Sequence, residues 1–158
     1  MDVQDIITEL QLEPLQPEGG YFRQTFKDTH LLTVDGHKRA AATCIYYLLT
    51  RESFSAFHRV RGTEIFHFLR GDAAELVTID AHGRLGLRAV GPGIESGEVP
   101  QAIVPAGEWQ ALRTRGAWTL FSCTVSPGFE YEDFELGDRE QLLREFPDCR
   151  AWIEALTR

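Results

Sequence analysis

The stretch SAFHRVRGTEIFHFLRG, residues 55–71, carries the strand pattern that decides the fold prediction for this chain. Residues 55–60 and 64–69 are rich in apolar and aromatic side chains, as expected for strands. The Arg-Gly-Thr between them indicates a tight turn, because glycine accepts backbone conformations that other residues avoid. We therefore predict two strands that fold back on each other as a hairpin.

Side chains alternate between the two faces of a strand, which assigns the polar residues of this stretch to faces. If His58 faces the interior, Glu64 joins it from the returning strand. His67 then points to the opposite face. A single metal ion bound by both histidines is therefore not expected, unless a bulge shifts the register.

Short apolar or alternating segments of the same kind follow one another from residue 21 to residue 136. The segments between them are turn-like, such as TVDGHK, RGDA, DAHGR and GPGIESGEV, and the last predicted strand is FEYEDFEL, residues 129–136. Many short strands with regular turns predict an all-β sandwich or barrel. Helical periodicity appears only at the two ends, in a segment that Asp2 can cap and at about 138–157, where Pro147 interrupts it. The chain is predicted to be one domain of residues 1–158, with a barrel core at about 17–136.

The segment AAATCIYYLL, residues 40–49, is apolar on both of its faces. Both faces of a strand of this kind must be covered by other parts of the protein. The barrel interior can supply one cover, and a terminal helix or a second subunit can supply the other. We therefore expect a homodimer.

Composition narrows the classes of partner. The formal net charge is −8 and basic residues are scattered, which argues against a nucleic-acid surface and against an anionic membrane surface. The N-terminal segment lacks the basic region of a signal peptide, and no apolar run approaches the ~18 residues of a membrane helix. Three widely spaced cysteines form no CxxC pair. These features are typical of a reduced, cytoplasmic protein.

The histidine stretch resembles the first motif of the cupin superfamily, G-x5-H-x-H-x3,4-E-x6-G. His58, Glu64 and Gly71 stand at the first histidine, glutamate and final glycine places, whereas Val60 stands at the second histidine place and Glu52 at the opening glycine place. The segment PAGEWQALRT resembles the second motif, G-x5-P-x-G-x2-H-x3-N, through Pro105 and Gly107. It departs from that motif at the histidine place, which holds Gln110, and at the two places that hold Val99 and Thr114.

The metal-binding cupins use three histidines and the glutamate, and this chain keeps two of those four ligands. Transition metals prefer imidazole, thiolate or carboxylate, so a glutamine amide is a poor replacement. We expect no cofactor, and a divalent metal is disfavoured. If a metal binds, the resemblance implies His58 and Glu64 as ligands, together with His67 or Gln110.

A closer resemblance extends over residues 17–136. The segments PEGGYFRQTF, IYYLL, SAFHRVRGTEIFHFLRGD, VPAGEWQA and CTVSPGFEYEDFEL, in this order, are similar to the cupin-5 family, also called DUF985. The resemblance implies a double-stranded β-helix barrel (the cupin or jelly-roll barrel), usually dimeric. It also implies a fold close to that of sugar-nucleotide epimerases of the RmlC type.

Small barrels hold ligands in their mouths, so we place the candidate site there. His58 and Glu64 are the candidate catalytic residues, and Gln110 is expected to face inward beside them. Seven further residues are candidates for ligand binding. Phe66 and Phe68 are expected in the aromatic walls of the pocket, and Tyr21 and Arg23 at its rim. The possible proton donors are Tyr46, Tyr47 and Tyr131. Arg23 would suit a phosphate or carboxylate, because its planar fork binds either in bidentate fashion.

The function predicted from these residues is binding of a small molecule. One hypothesis is an epimerase- or isomerase-like enzyme that acts on a carbohydrate or nucleotide sugar with His58 as base, since a histidine beside a carboxylate can act as a base near neutral pH. The alternatives are a metabolite-binding module without catalysis and a metal-dependent cupin enzyme. The sequence does not choose among them.

Overall fold

The computed structural model describes residues 2–158, which form thirteen strands and three short α-helices. The predicted cap at Asp2 and the predicted break at Pro147 are both confirmed. In chain order the elements are α1 (Val3–Glu9), β1 (Glu13–Pro14), β2 (Tyr21–Lys27), β3 (Leu31–Val34), β4 (His37–Ala40), β5 (Thr43–Thr50), β6 (Ser55–Val60), β7 (Thr63–Gly71), β8 (Ala74–Ile79), β9 (Leu85–Val90), β10 (Gln101–Val104), β11 (Trp109–Thr114), β12 (Trp118–Ser126), β13 (Phe134–Leu136), α2 (Arg139–Glu145) and α3 (Arg150–Ala155).

Two antiparallel sheets enclose the core. The order of the six-stranded sheet is β1-β2-β5-β12-β7-β10, and that of the five-stranded sheet is β13-β6-β11-β8-β9. From β5 to β13 the chain passes repeatedly from one sheet to the other, as in a jelly roll. The all-β prediction with short terminal helices is therefore confirmed.

The predicted hairpin of β6 and β7 is wrong. The neighbours of β6 are β11 and β13, whereas those of β7 are β10 and β12, so the turn between them carries the chain from one sheet to the other. A Cβ atom on Gly62 would lie 2.6 Å from the carbonyl oxygen of Pro127, so only glycine permits this close passage. His58 and Glu64 consequently approach the interior from opposite sheets.

Two further segments differ from the predicted pattern. In residues 129–136 only β13 is a strand, because residues Tyr131–Asp133 form a 3-10 turn in which Asp133 accepts two hydrogen bonds from Arg39. The predicted turn in TVDGHK is confirmed at residues 35–36, but the residues on either side of it belong to β3 and β4, which the sequence analysis did not predict as strands. None of the helices within residues 2–158 is long and apolar enough to cross a membrane.

The terminal helices cover the outer faces of the two sheets. Ile6 of α1 packs with Leu48 and Leu120 on the six-stranded sheet. On the five-stranded sheet, α2 and α3 bury Leu142 and Ile153 in a second cluster. Because α1 supplies the second cover of β5, that strand no longer requires a partner subunit, and the homodimer stays a prediction.

Replacing Ile153 with Val should lower the free energy of unfolding by about 1 kcal/mol, because it removes one methylene from a side chain that is fully buried. Urea unfolding followed by tryptophan fluorescence measures this change. The same replacement at Ile94, which is 66% exposed, should leave the midpoint unchanged. An equal loss of unfolding free energy in the two variants would show that α3 does not pack against the five-stranded sheet.

Candidate functional site

A cavity lies between the two sheets and opens to solvent beside Tyr131, which is 61% exposed. Its space is about 770 Å³ when the open solvent at its mouth is included. Its inner end is polar and includes Glu18, Tyr47, His58 and Glu64, whereas its walls are mostly apolar and aromatic. Among the described residues, no Lys or Arg lines it.

His58 is held in one orientation at the inner end of this cavity. Its ring is 2% exposed and stacks on Phe134 with 5.3 Å between ring centroids. Nδ1 lies 2.7 Å from the carbonyl oxygen of Ala56. A carbonyl can only accept, so Nδ1 carries the hydrogen. In the neutral ring the lone pair is therefore on Nε2, which lies 3.8 Å from Oε1 of Glu18.

Glu64 and Gln110 form a buried pair, although they come from opposite sheets. The Gln110 amide nitrogen donates to Oε2 of Glu64 over 2.7 Å. Burial raises the pKa of Glu64 to about 7, and the nearby Glu18 acts in the same direction, whereas His58 and the Gln110 hydrogen bond oppose it. The other amide atom, Oε1 of Gln110, is buried and has no partner within residues 2–158.

Glu18 is a site residue that the sequence prediction missed. Its Oε1 accepts a hydrogen bond from the Ser55 hydroxyl at 2.7 Å, and the Tyr47 hydroxyl shares its hydrogen between this atom, at 2.9 Å, and the carbonyl oxygen of Gly19. Burial and the neighbouring carboxylate raise the pKa of Tyr47 well above its usual value, so this hydroxyl remains a donor.

The backbone conformation after Glu18 explains why two glycines follow it in the segment PEGG. Gly19 and Gly20 both have positive φ angles, of 114° and 79°. A Cβ atom on Gly19 would overlap the carbonyl oxygen of Phe54 and the guanidinium of Arg158. That guanidinium bonds the carbonyl oxygens of Glu18 and Phe54 and so joins the loop to the start of β6. An acid directly before two glycines was the sequence signal that could have identified Glu18.

Three of the predicted ligand-binding residues lie on the other side of the six-stranded sheet. Tyr21 and Tyr46 pack against α1, and the guanidinium of Arg23 lies 5.6 Å from the centre of the Tyr46 ring. The prediction chose the wrong face of β2. The residues of β2 that line the cavity are Phe22 and Gln24.

The remaining predicted residues divide between the cavity and the core beneath it. Tyr47 and Tyr131 line the cavity. Phe66 is instead a core residue, 1% exposed, with its ring edge to face against Phe121, and Phe68 packs partly buried on the same core. Gln110 contacts the site through Glu64.

His67 points away from His58, as the alternation predicted. Its Nε2 lies 3.3 Å from the Thr124 hydroxyl and its Nδ1 lies 3.1 Å from the Gln101 amide nitrogen, on the outer face of the six-stranded sheet. It is therefore not available to a metal held by His58.

The donor set at the inner end does not fit the metal that the cupin pattern implies. Val60 offers hydrocarbon at one ligand place, and at another the Gln110 amide donates to Glu64 rather than offering its oxygen. Burial raises the pKa of the Cys123 thiol well above its usual value, which disfavours a thiolate ligand. Within residues 2–158, no three His, Cys, Asp or Glu side chains are grouped to hold a metal ion.

Comparisons with known proteins agree with this architecture. The sequence profile described as "Cupin superfamily (DUF985)" matches residues 4–137. An uncharacterized protein of Saccharomyces cerevisiae is 32% identical over 148 residues, which cover 83% of this chain and 73% of the yeast protein.

Solved structures extend the comparison to three dimensions. A hypothetical protein from Leishmania major has a TM-score of 0.92 at 32% identity, with 99% of both chains covered. A protein from Shewanella oneidensis has a TM-score of 0.93 at 31% identity, with 100% of this chain and 98% of the other covered. Oxalate decarboxylase from Bacillus subtilis shares only the fold, with a TM-score of 0.58 and 16% identity over 92% of this chain and 37% of that chain. This chain belongs to the DUF985 family of the cupin superfamily.

Proposed function

We propose that this protein catalyses proton transfer on a compact carbonyl compound, such as a carbohydrate, as an isomerase- or epimerase-like enzyme without a metal. One observation carries the proposal. The Ala56 carbonyl fixes the tautomer of His58, so that the basic nitrogen Nε2 is on the side of Glu18 while a protonatable carboxyl, Glu64, lines the same cavity. A base and an acid in one cavity are the groups that such a reaction needs.

In the proposed step, Nε2 of His58 removes a proton from the carbon next to the carbonyl. The electron pair of that C–H bond moves into the new carbon–carbon double bond, and the carbonyl electrons move onto oxygen. Glu64, whose pKa of about 7 keeps much of it protonated near neutral pH, gives its proton to this oxygen. The carboxylate of Glu18 stabilises the positive charge on the His58 ring. In an α-hydroxy carbonyl compound, the His58 ring then gives its proton to the former carbonyl carbon. The neighbouring hydroxyl gives its proton to the Glu64 carboxylate and becomes the new carbonyl, which completes the isomerisation and restores both residues.

The shape and charge of the cavity favour a compact substrate over a nucleotide sugar. A diphosphate calls for cationic partners, and Arg23, the residue expected to supply one, lies on the opposite face of the sheet. Within the part of the chain that the structure describes, the lining offers no Lys or Arg in its place.

Deuterium exchange tests the proposal directly. The protein is incubated in D2O with a panel of aldoses, ketoses and other small carbonyl compounds, with and without EDTA, and proton NMR follows the C–H signals. We expect exchange next to the carbonyl of at least one compound, at a rate that EDTA does not change. A compound that binds without exchange would favour the non-catalytic binding module. Exchange that EDTA abolishes would favour the metal-dependent enzyme.

A further inference from the structure

We infer that the ligand of this cavity carries an ammonium or amidinium group, held by the Glu18 carboxylate and by the aromatic rings of the walls. The inference rests on the proposed function in one respect, since it takes this cavity as the ligand site. It adds the chemical class of the group that the site recognises.

The inner end of the cavity offers the ligand free hydrogen-bond acceptors. Glu18 and Glu64 each use one carboxyl oxygen in hydrogen bonds with the protein, Oε1 and Oε2 respectively. Within residues 2–158, the second oxygen of each group makes no hydrogen bond with the protein, and on Glu64 that oxygen carries the proton used in the proposed step. The free acceptors are therefore Oε2 of Glu18 and the lone pair on Nε2 of the neutral His58 ring.

Apart from the Glu64 carboxyl and the Cys123 thiol, the side-chain donors at this end are already in use. The hydroxyls of Tyr47 and Ser55 donate to Glu18, the Gln110 amide donates to Glu64, and Nδ1 of His58 donates to a backbone carbonyl. A ligand that satisfies the free acceptors must therefore bring several N–H or O–H groups of its own. An ammonium group brings three donors and no acceptor, and it also neutralises carboxylate charge.

The basic side chains that contact residues 129–136 are neutralised by the protein itself. Residues 129–136, which carry three of the aromatic wall residues, also carry four acids that form ion pairs with basic side chains of other elements. These pairs are Lys27 with Glu130 at 2.7 Å, Arg39 with Asp133 at 2.6 Å and with Glu132 at 2.9 Å, Arg59 with Glu135 at 2.8 Å, and Arg61 with Asp133 at 3.7 Å. The Glu18 carboxylate therefore lacks a Lys or Arg partner among the described residues, and the nearest basic group is the His58 ring, whose Nε2 lies 3.8 Å away.

The walls suit an organic cation. Phe22, Phe129, Tyr131 and Phe134 line the cavity, and the rings of Phe129 and Tyr131 meet edge to face at 5.3 Å. The face of an aromatic ring attracts a cation that lies within about 6 Å of its centre. Aromatic rings around carboxylates therefore recognise a positive group more strongly than a neutral group of the same shape.

Three probes of similar size and different charge test the inference: benzylammonium, benzyl alcohol and benzoate. Isothermal calorimetry at neutral pH and low salt measures each affinity. We expect benzylammonium to bind at least about tenfold more tightly than benzyl alcohol, since a charge-assisted hydrogen bond is about twice as strong as a neutral one, and we expect benzoate not to bind.

The variant Glu18→Gln keeps the shape of the side chain and an oxygen that accepts from Ser55 and Tyr47. It should weaken benzylammonium binding about tenfold and should weaken benzyl alcohol binding much less, because only the ammonium loses an opposite charge. Glu145→Gln, which removes one exposed acid on α2, changes the net charge equally and should alter none of the affinities.

Equal affinities for benzylammonium and benzyl alcohol, or tighter binding of benzoate, would overturn the inference. So would an equal loss of benzylammonium binding in the Glu18 and Glu145 variants. Failure of the proposed function is a separate result. Charge selectivity without deuterium exchange in any carbonyl compound refutes catalysis alone, whereas exchange without charge selectivity refutes the ammonium inference alone.

Discussion

Replacing His58 with Asn should slow proton transfer by a factor of about 10²–10⁴, the usual contribution of a positioned general base. The amide nitrogen of Asn can replace Nδ1 as the donor to the Ala56 carbonyl, so the variant loses the basic Nε2 while the hydrogen bond survives. The measurement is the rate of deuterium exchange in the carbonyl compound that the wild-type protein accepts.

His67 provides the matched control. It lies on the outer face of the six-stranded sheet, where it contacts Thr124 and Gln101. His67→Asn should leave the exchange rate unchanged and cost at most about 1 kcal/mol of stability, the value of a typical hydrogen bond. If the His67 variant lost as much exchange as the His58 variant, the assignment of the base to the cavity would be wrong.

Replacing Glu64 with Gln should stabilise the protein above pH 7 by up to roughly 3 kcal/mol, which is the free energy that corresponds to the pKa difference between 4.5 and about 7. Folding raises the pKa of this carboxyl, so the folded state holds the proton more tightly than the unfolded state does. The stability associated with the protonated group is fully present below about pH 4.5 and is lost as the pH rises through about 7. A glutamine stays neutral throughout and can still accept from Gln110.

Urea unfolding at a series of pH values between 4 and 9 measures this difference. The variant and the wild type should have similar stability at the acid end and should diverge as the pH rises. Glu52→Gln, at an exposed position, should follow the wild-type curve at every pH. If the free energy of unfolding changed with pH in the same way in the wild type and in the Glu64 variant, the pKa of Glu64 would not be raised.

The inward orientation of His58 and Gln110 was expected from their places in the cupin motifs, and alternation then assigned their neighbours to the opposite face. In β11 the neighbours Trp109 and Ala111 belong to the outer cluster with the terminal helices, while Gln110 reaches Glu64 inside. A period of two depends only on local backbone geometry, so it can be read without knowing what the strand pairs with.

The face of β2 could not be predicted in the same way. YFRQTF places an aromatic residue on each face at Tyr21 and Phe22, and polar residues follow on both. Two interactions decide which face of β2 points into the cavity. Tyr21 packs with α1, and Phe22 pairs with Tyr47 of β5. Both interactions join segments that are distant in the sequence.

The position of Glu18, a loop residue, also could not be predicted from local sequence patterns. It has no strand period to assign its face, and its position depends on the glycines after it and on Arg158, 140 residues away. Its proximity to His58 follows from the passage of the chain between sheets, which local patterns do not report.

The sequence by itself determined the all-β class, the terminal helices and the opposite orientation of His58 and His67. Those properties follow from alternation, turn residues and helix caps, which act over a few neighbouring residues. Only the tertiary structure decided that β6 and β7 lie in different sheets, that Glu18 joins His58, and that Tyr21, Arg23 and Tyr46 face away. Strand pairing and the covering of each face depend on contacts between distant segments, so the positions that these contacts set appear only when the whole barrel is assembled.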